Sequence, residues 1–511
     1  MSRKLRTIII LGVLFAVLAV LYFAVIAPWY RAKTETPEEE PPELLPGEVL
    51  GTNNRILLFE HVEKADMLSI EVHNEFGTYT FYRGSDDNFH IKDMESVSYS
   101  LEGLSNLVVS TGYTLSMRRL DFAELDDDFS VYGLGENDNP AWYVITKMDG
   151  TTHKVLVGNL IPTGGGYYSM YEGRRAVYVL DTSFATSVLA DIHTLINPLL
   201  GYPVSSTSYY NLDDFYIFRN GEPFVAIDMK TAEETGNENG MPSFVMVIPV
   251  GYDLKLTTYS AFMEKLASFQ GDACVAAGFE LDGADEDLLL EKYNINLTSP
   301  WYLLHYKLDD VETIIVFSEP DEDGNMYAFS SVYDLIARIN VSNASFVNWG
   351  LLEFVDDYVF YKNINDVAKI EIKGKLNELD SKGNPIDVDA FFTLDGEKET
   401  IIVRPNGQGD GYDADDLKNF RQLYKVMLGI KLYDYADEGY EKNMKEIMSM
   451  KVTMDSGEEL EYVFYAYSSR RCYYTVNGKG EFYCLREAVE KLIRNANRML
   501  IGDQIISDND N

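Results

Sequence analysis

The same opening recurs three times along the chain. Asp66-Met67-Leu68-Ser69-Ile70-Glu71-Val72 and Asp366-Val367-Ala368-Lys369-Ile370-Glu371-Ile372 both read Asp, apolar, apolar, polar, Ile, Glu, apolar. Asp213 to Ile217 (DDFYI) is a weaker middle copy. These starts lie roughly 150 residues apart, which is the size of a domain and too long for a stacked solenoid repeat. The 511 residues are therefore expected to hold three tandem copies of one folding unit.

The order within each copy supports the match. Helical periodicity follows the opening strands: Leu101, Leu104, Leu107 and Val108 share a face in the first copy, Phe262, Leu266 and Phe269 in the second, and Leu417, Phe420, Tyr424 and Met427 in the third. A strand led by Pro-Trp or its relative comes next. Val131–Thr146 parallels Lys292–Tyr306, with Tyr132 and Pro140 answering Tyr293 and Pro300, while the third copy keeps only Tyr440. A tyrosine-rich hairpin then closes the unit. Tyr168, Gly173 and Tyr178 are spaced like Tyr473, Gly478 and Tyr483, with Tyr327 and Tyr333 a degenerate middle version. Glycine midway between two aromatic strands suits a tight turn, because it accepts positive φ without penalty. Gly164-Gly165-Gly166 reads as an entry to that hairpin, since no Gly-Lys-Ser/Thr follows. Short helices end the units, as at Ser183–His193 and Arg486–Arg498. The expected fold class is α+β: antiparallel meanders with helices packed on one face, in units 53–203, 204–354 and 355–502, then an acidic tail at 503–511.

Ahead of the repeats stands an apolar run. After Arg3, Lys4 and Arg6, no charged residue occurs from Thr7 through Tyr30. Twenty such residues in a helix span about 30 Å, the thickness of a hydrocarbon layer. Residues 7–30 are expected to form a transmembrane helix in the lipid bilayer, with 1–6 cytoplasmic. Pro28 is a poor residue to follow a cleavage site, and the run exceeds a usual signal-peptide core. Residues 31–52, rich in Pro and Glu, read as a stalk that builds no core. The chain is then a single-pass protein of the cell membrane, with its bulk extracytoplasmic. With 43 basic against 82 acidic residues and a net charge of −39, it is repelled by phosphate backbones, which excludes nucleic acid as a principal ligand.

Tyr132-Gly133-Leu134, Pro140, Val155-Leu156-Val157-Gly158-Asn159, Gly165-Gly166-Tyr167-Tyr168 and Val177-Tyr178-Val179 together resemble the bacterial domain of unknown function numbered 4340. The resemblance is clear over about residues 66–192, blurred in the middle unit and partial in the last. It implies a membrane- or lipid-anchored envelope protein, of a kind often encoded beside auxiliary components of gliding-motility-type ABC transporters. It implies no catalytic residues.

The residues themselves offer little chemistry. The six histidines form no HExxH and no close pair, and Cys274 reads as a small buried hydrophobe. Asp321-Glu322-Asp323-Gly324-Asn325 and Asp410-Gly411-Tyr412-Asp413-Ala414-Asp415-Asp416 carry calcium-type ligands without the calcium-loop register, so they read as solvated turns. No cofactor or metal is expected, and no enzyme activity. Tyrosine is the excess, at 36 residues. Sheet composition accounts for it; the sharper alternative is an aromatic binding face of Tyr167, Tyr168, Tyr178, Tyr473, Tyr474 and Tyr483. Cys472 and Cys484 flank the Gly478 turn and are expected to face each other, as a disulfide or as two packed thiols, with the disulfide favoured. The leading functional expectation is a non-catalytic binding or assembly module serving a membrane-protein complex of ABC-transporter type. A cell-wall glycan or polymer binder is the alternative, and a hydrolase the third.

Overall fold

A computed structural model describes residues 15, 18–20, 22–26, 41–122, 125, 128–205, 208–231, 234, 243–281, 286–397, 400–406, 411–436 and 444–507. The first repeat supplies β1 (Met67–Asn74), β2 (Gly77–Arg83), β3 (Phe89–Ile91), β4 (Ser116–Arg119), β5 (Ala141–Lys147), β6 (Thr152–Leu160), β7 (Gly166–Tyr171) and β8 (Tyr178–Asp181). The second supplies β9 (Leu212–Arg219), β10 (Glu222–Lys230), β11 (Ser243–Ile248), β12 (Ala273–Ala277), β13 (Tyr302–Leu308), β14 (Val311–Phe317), β15 (Asn325–Ser330) and β16 (Leu335–Asn340). The third supplies β17 (Val367–Leu379), β18 (Pro385–Glu397), β19 (Thr400–Pro405), β20 (Leu432–Tyr435), β21 (Glu446–Met454), β22 (Glu459–Ala466), β23 (Arg471–Val476) and β24 (Phe482–Leu485).

Each set forms one eight-stranded antiparallel sheet, and all three share one order: third, second, first, fifth, sixth, seventh, eighth, fourth. The fold is mixed α+β, and the openings at 66, 213 and 366 stand at the head of each central strand. Strand-like alternation explains why. In β1 and β9, apolar residues such as Ile70, Val72, Phe215 and Ile217 point to one buried face while polar neighbours point away. The helix after each third strand carries the chain from one sheet edge to the other. These are α1 (Leu101–Gly112), α3 (Leu256–Leu266) and α6 (Ala414–Leu428). Ser100 caps α1 by accepting from Gly103 N. Leu101 was expected on the packed face but is 80% exposed, because it sits in the first turn beyond the edge of the contact; Leu104, Leu107 and Val108 are buried. Closing helices follow the first and third sheets, α2 (Thr182–Val188) and α7 (Arg486–Ile501).

The second repeat departs from helices on a single face. A further helix, α4 (Glu286–Tyr293), lies in the connection between β12 and β13 and packs Leu289 and Tyr293 on Val316 and Ile336. Phe317, next to Val316 in β14, points the other way, towards Phe269 and Phe346. This sheet is covered on both faces. In place of a long closing helix it has only α5 (Leu351–Phe354).

The chain divides into two compact units, one ending at Leu195 and one comprising residues 196–511, with 96–98 assigned to the latter. This division falls at 195/196, ahead of the expected unit end at 203, and keeps the expected units 204–354 and 355–502 together in one body. Leu200 and Val204 are buried, and their amides donate to the Phe269 and Leu266 carbonyls of the second repeat. The expected stalk also changes. Its last part is folded onto the first repeat, with Val49–Leu50 paired to Ile56–Leu57 and the Glu48 side chain fully buried against Arg119. Residues 503–507 of the expected tail are likewise docked, on α6 and α7. Most of the expected membrane span, residues 7–30, lies outside the described residues. No helix among the described residues is long and apolar enough to cross a membrane.

Candidate functional site

The outer face of each sheet, opposite its crossover helix, is where the repeats differ. In the first sheet Leu156, Tyr168 and Met170 are covered by Leu120, Tyr132 and Leu134 from the β4–β5 connection, residues 120–140. In the second, Leu303, Val316, Phe329 and Ile336 form one cross-strand row covered by α4 from residues 278–301. The aromatic pairings correspond: Tyr132 meets Tyr168 edge-on at 5.0 Å, and Tyr293 meets Tyr327 at 5.4 Å. The third repeat has only residues 436–445 between β20 and β21, and 437–443, with Tyr440, lie outside the described residues.

Its outer face carries a tyrosine row instead. Tyr465 pairs with Tyr473, and Tyr473 with Tyr483, so three adjacent strands place the rings side by side. Tyr433 and Tyr467 stack on Tyr483 at 6.4 and 6.0 Å, and the Arg471 guanidinium lies 4.3 Å from its ring centre. Tyr473 donates to the Gly480 carbonyl. Beside the row is a depression of about 470 Å³, lined by Tyr465, Tyr473, Thr475, Lys479 and Glu481. Burial raises the Glu481 carboxyl, and the buried Thr475 hydroxyl has no hydrogen-bond partner among the described residues. Aromatic rings beside a few polar groups are the usual chemistry of a binding surface.

The expected aromatic face is thus only partly assembled. Tyr483 belongs to the row and is half-exposed, whereas Tyr473 stands in the row but is buried, at 5% exposure. Tyr474, between Tyr473 and Thr475, points to the opposite, buried face and stacks on Phe464, because strand neighbours alternate. Tyr178 is fully buried and donates to Glu48. Tyr167 and Tyr168 are half-buried, with Tyr168 under Tyr132. Sequence reasoning missed Tyr433, Tyr465 and Tyr467; the period-two placement of Tyr465 and Tyr467 was the available signal.

Cys472 and Cys484 are direct partners across the hairpin. Asn477 and Gly478, both at positive φ, make its two-residue turn. Both cysteines stand as free, buried thiols, the arrangement of the packed-thiol alternative. Arg486 N donates to Arg470 O, which puts the Cys472–Cys484 pair at a hydrogen-bonded position, where backbones stand about 5.5 Å apart, a separation that a disulfide can also span. Burial also pushes the Cys472 thiol up to about 12 and raises Cys484, so both stay protonated.

The acidic clusters are consumed by their own backbone. Asp321 accepts from the amides of Asn325 and Asp323, which hold its carboxyl below the usual range. Asp380 does the same for Lys382 and Asn384. Asp413 is the N-cap of α6, accepting from Asp415 N and Asp416 N. Asp410 lies outside the described residues, among which no group of three His, Cys, Asp or Glu side chains could hold a metal. Cys274 is buried, as expected. The fold and these surfaces define a class: tandem antiparallel-sheet repeats with individually finished outer faces. No family model, curated protein or solved structure matches the chain.

Proposed function

We propose that the chain is a non-catalytic binding or assembly module, held at the membrane by residues 7–30 with its repeats outside, and that its partner is a membrane-protein complex. The ABC-transporter type of complex follows from the resemblance to the domain family numbered 4340. The observation that supports the reading best is the contrast between a constant strand order and variable outer faces. Among the described residues, two faces are covered by the chain's own apolar connections, and the third carries tyrosines flanked by Arg471, with Tyr465 and Tyr483 half-exposed and Tyr473 buried. Tyrosine and arginine are the residues enriched where proteins meet. The same row favours a second reading, a wall-glycan binder, because ring faces beside polar groups also suit sugars.

A photo-crosslinking residue at position 433, whose Tyr433 is 50% exposed, tests both in intact cells. Discrete adducts with an integral membrane protein are expected. Adducts with wall polymer alone would replace the first reading by the second, and no adduct at any exposed position of the row would refute both.

A further inference from the structure

Residues 503–507 follow α7 and run back between α6 and α7. Side chains bind their main chain. Asn419 accepts from Ile505 N (2.7 Å) and donates to Asp503 O (2.9 Å). Asn495 accepts from Ile506 N (3.0 Å) and donates to Ile506 O (3.1 Å). Lys491 donates to Ser507 O, and the Ser507 hydroxyl donates to Gln422. Ile505 is 5% exposed between the helices, while Ile506 faces out. Among the described residues, a depression of about 730 Å³ continues along the segment past Asp415, Lys418 and Gln422.

This is how a groove holds a peptide. Two amide side chains each take a donor and an acceptor from a passing backbone, and one pocket takes an apolar side chain, so affinity comes from the main chain and selectivity from a single residue. The asparagines are costly where they stand. Asn favours caps and turns over helix interiors, yet Asn419 and Asn495 sit inside α6 and α7, and Asn495 is 2% exposed. Covering Ile505 alone would need only apolar side chains.

We propose that the α6–α7 groove is a docking site for an extended segment of a partner protein, with 503–507 as the resident that such a segment displaces. The incoming segment carries a branched apolar residue in the Ile505 position, with free backbone groups on either side. The resident is tethered directly through Gly502, so its effective concentration is on the order of millimolar, and a partner succeeds by being held nearby. The proposal rests on the assembly reading only for the existence of a partner; the groove itself is tested without one.

The probe is an acetylated, amidated peptide with the sequence of residues 503–507. Hydrogen exchange on the intact chain reads the Ile505 and Ile506 amides, and several-fold faster exchange at these two is expected with peptide in millimolar excess. The full-length Ile505→Asp variant, which ejects the resident, should bind labelled peptide at least tenfold more tightly than the intact chain does. Adding Asn495→Ala should remove that gain. Unchanged exchange in the intact chain overturns the proposal whether or not the variant folds. Peptide binding indifferent to Asn495→Ala does so too, and concentration-dependent dimerisation of Ile505→Asp would assign the groove to a second copy of the chain instead of a partner.

Discussion

Glu48→Ala tests whether the end of the expected stalk is part of the first repeat. The carboxylate is the shared acceptor of three donors: Arg119 Nη1 at 2.5 Å, Tyr178 OH at 2.6 Å and Leu45 N at 2.6 Å. Its side chain is fully buried, and that of Arg119 is 16% exposed. Removing one partner of a buried, hydrogen-bonded ion pair costs about 3–5 kcal/mol. Arg119 can regain some water, and Tyr178 keeps Arg174 at 3.1 Å, so the lower end, about 3 kcal/mol, is expected. For a unit of this size that is a fall of roughly 6–12 °C in its melting transition. Glu48→Gln keeps one acceptor oxygen, which can serve Leu45 N and Arg119 at the Oε2 position or Tyr178 at the Oε1 position but not both, and it loses the charge, so an effect smaller than that of Glu48→Ala is expected. Acid dependence supplies a second reading. Burial alone would raise the Glu48 carboxyl, but Tyr178, Leu45 and Arg119 outweigh it and hold the pKa below the ordinary 4.5. A depressed carboxylate contributes stability that is present above its unfolded pKa and lost as pH falls through the folded one. The wild-type advantage over Glu48→Gln should therefore shrink below about pH 4. Calorimetry of the full chain at pH 7 and pH 3.5 measures both. A Glu48→Ala transition within about 0.5 kcal/mol of wild type would refute the buried clamp.

Three further outcomes follow from the third repeat. Cys472 and Cys484, buried and protonated, should resist alkylation at pH 8 in the folded chain and react fully in denaturant, as read by intact mass. Gly480→Ala would bring a Cβ within 2.1 Å of the Tyr474 carbonyl, so a loss of about 1–3 kcal/mol in the unit's denaturation is expected, with the Cys472–Cys484 register disturbed. Asp413→Ala should cost about 1 kcal/mol through loss of the α6 cap, while calcium leaves the melting of the wild-type chain unchanged; calcium stabilisation would reverse the turn reading.

The repeated sheet was legible because its signal is local. A strand with one buried face alternates in its own sequence, as Ile70, Val72 and Ile370, Ile372 do, and recurrence at domain spacing does not require knowing what packs where. The Cys472–Cys484 register was legible for the same reason, from a turn glycine and symmetric flanks. What stayed hidden depends on distant partners. Glu48 lies in a run of Pro and Glu that looks solvated, and only Arg119 and Tyr178, far along the chain, make it a core residue. Asn419 and Asn495 look like ordinary helix-surface polars until the chain folds back past them. Helix α4 was hidden in an acidic connection, Glu286 and Asp287 ahead of Leu288, Leu289 and Leu290, whose apolar residues acquire meaning only against Val316 and Ile336.

The difference between copies carries more functional information than the shared scaffold. Three sheets of one order need the same buried face, and their inward residues are held to that packing. The outward strands six to eight carry no such obligation once something covers them. Where residues 120–140 and 278–301 do the covering, those strands bear Leu156 and Met170, or Val316, Phe329 and Ile336. The third repeat's connection is residues 436–445, most of them outside the described residues, and the corresponding strands bear Tyr465, Tyr473 and Tyr483, rings that tolerate water at one end. Tyr473 is buried at the middle of the row while Tyr465 and Tyr483 are half-exposed, so the tyrosines serve either as an interface or to keep a partly open sheet face soluble. Tyr465→Leu with Tyr483→Leu separates the two explanations. Both residues are only half-buried, so folding stability should move by less than about 1 kcal/mol. If the row is an interface, crosslinking through position 433 should fall sharply in this variant. If the tyrosines serve only to keep an open sheet face soluble, the adducts persist and the variant aggregates, which would end the case for the third repeat as the contacting one.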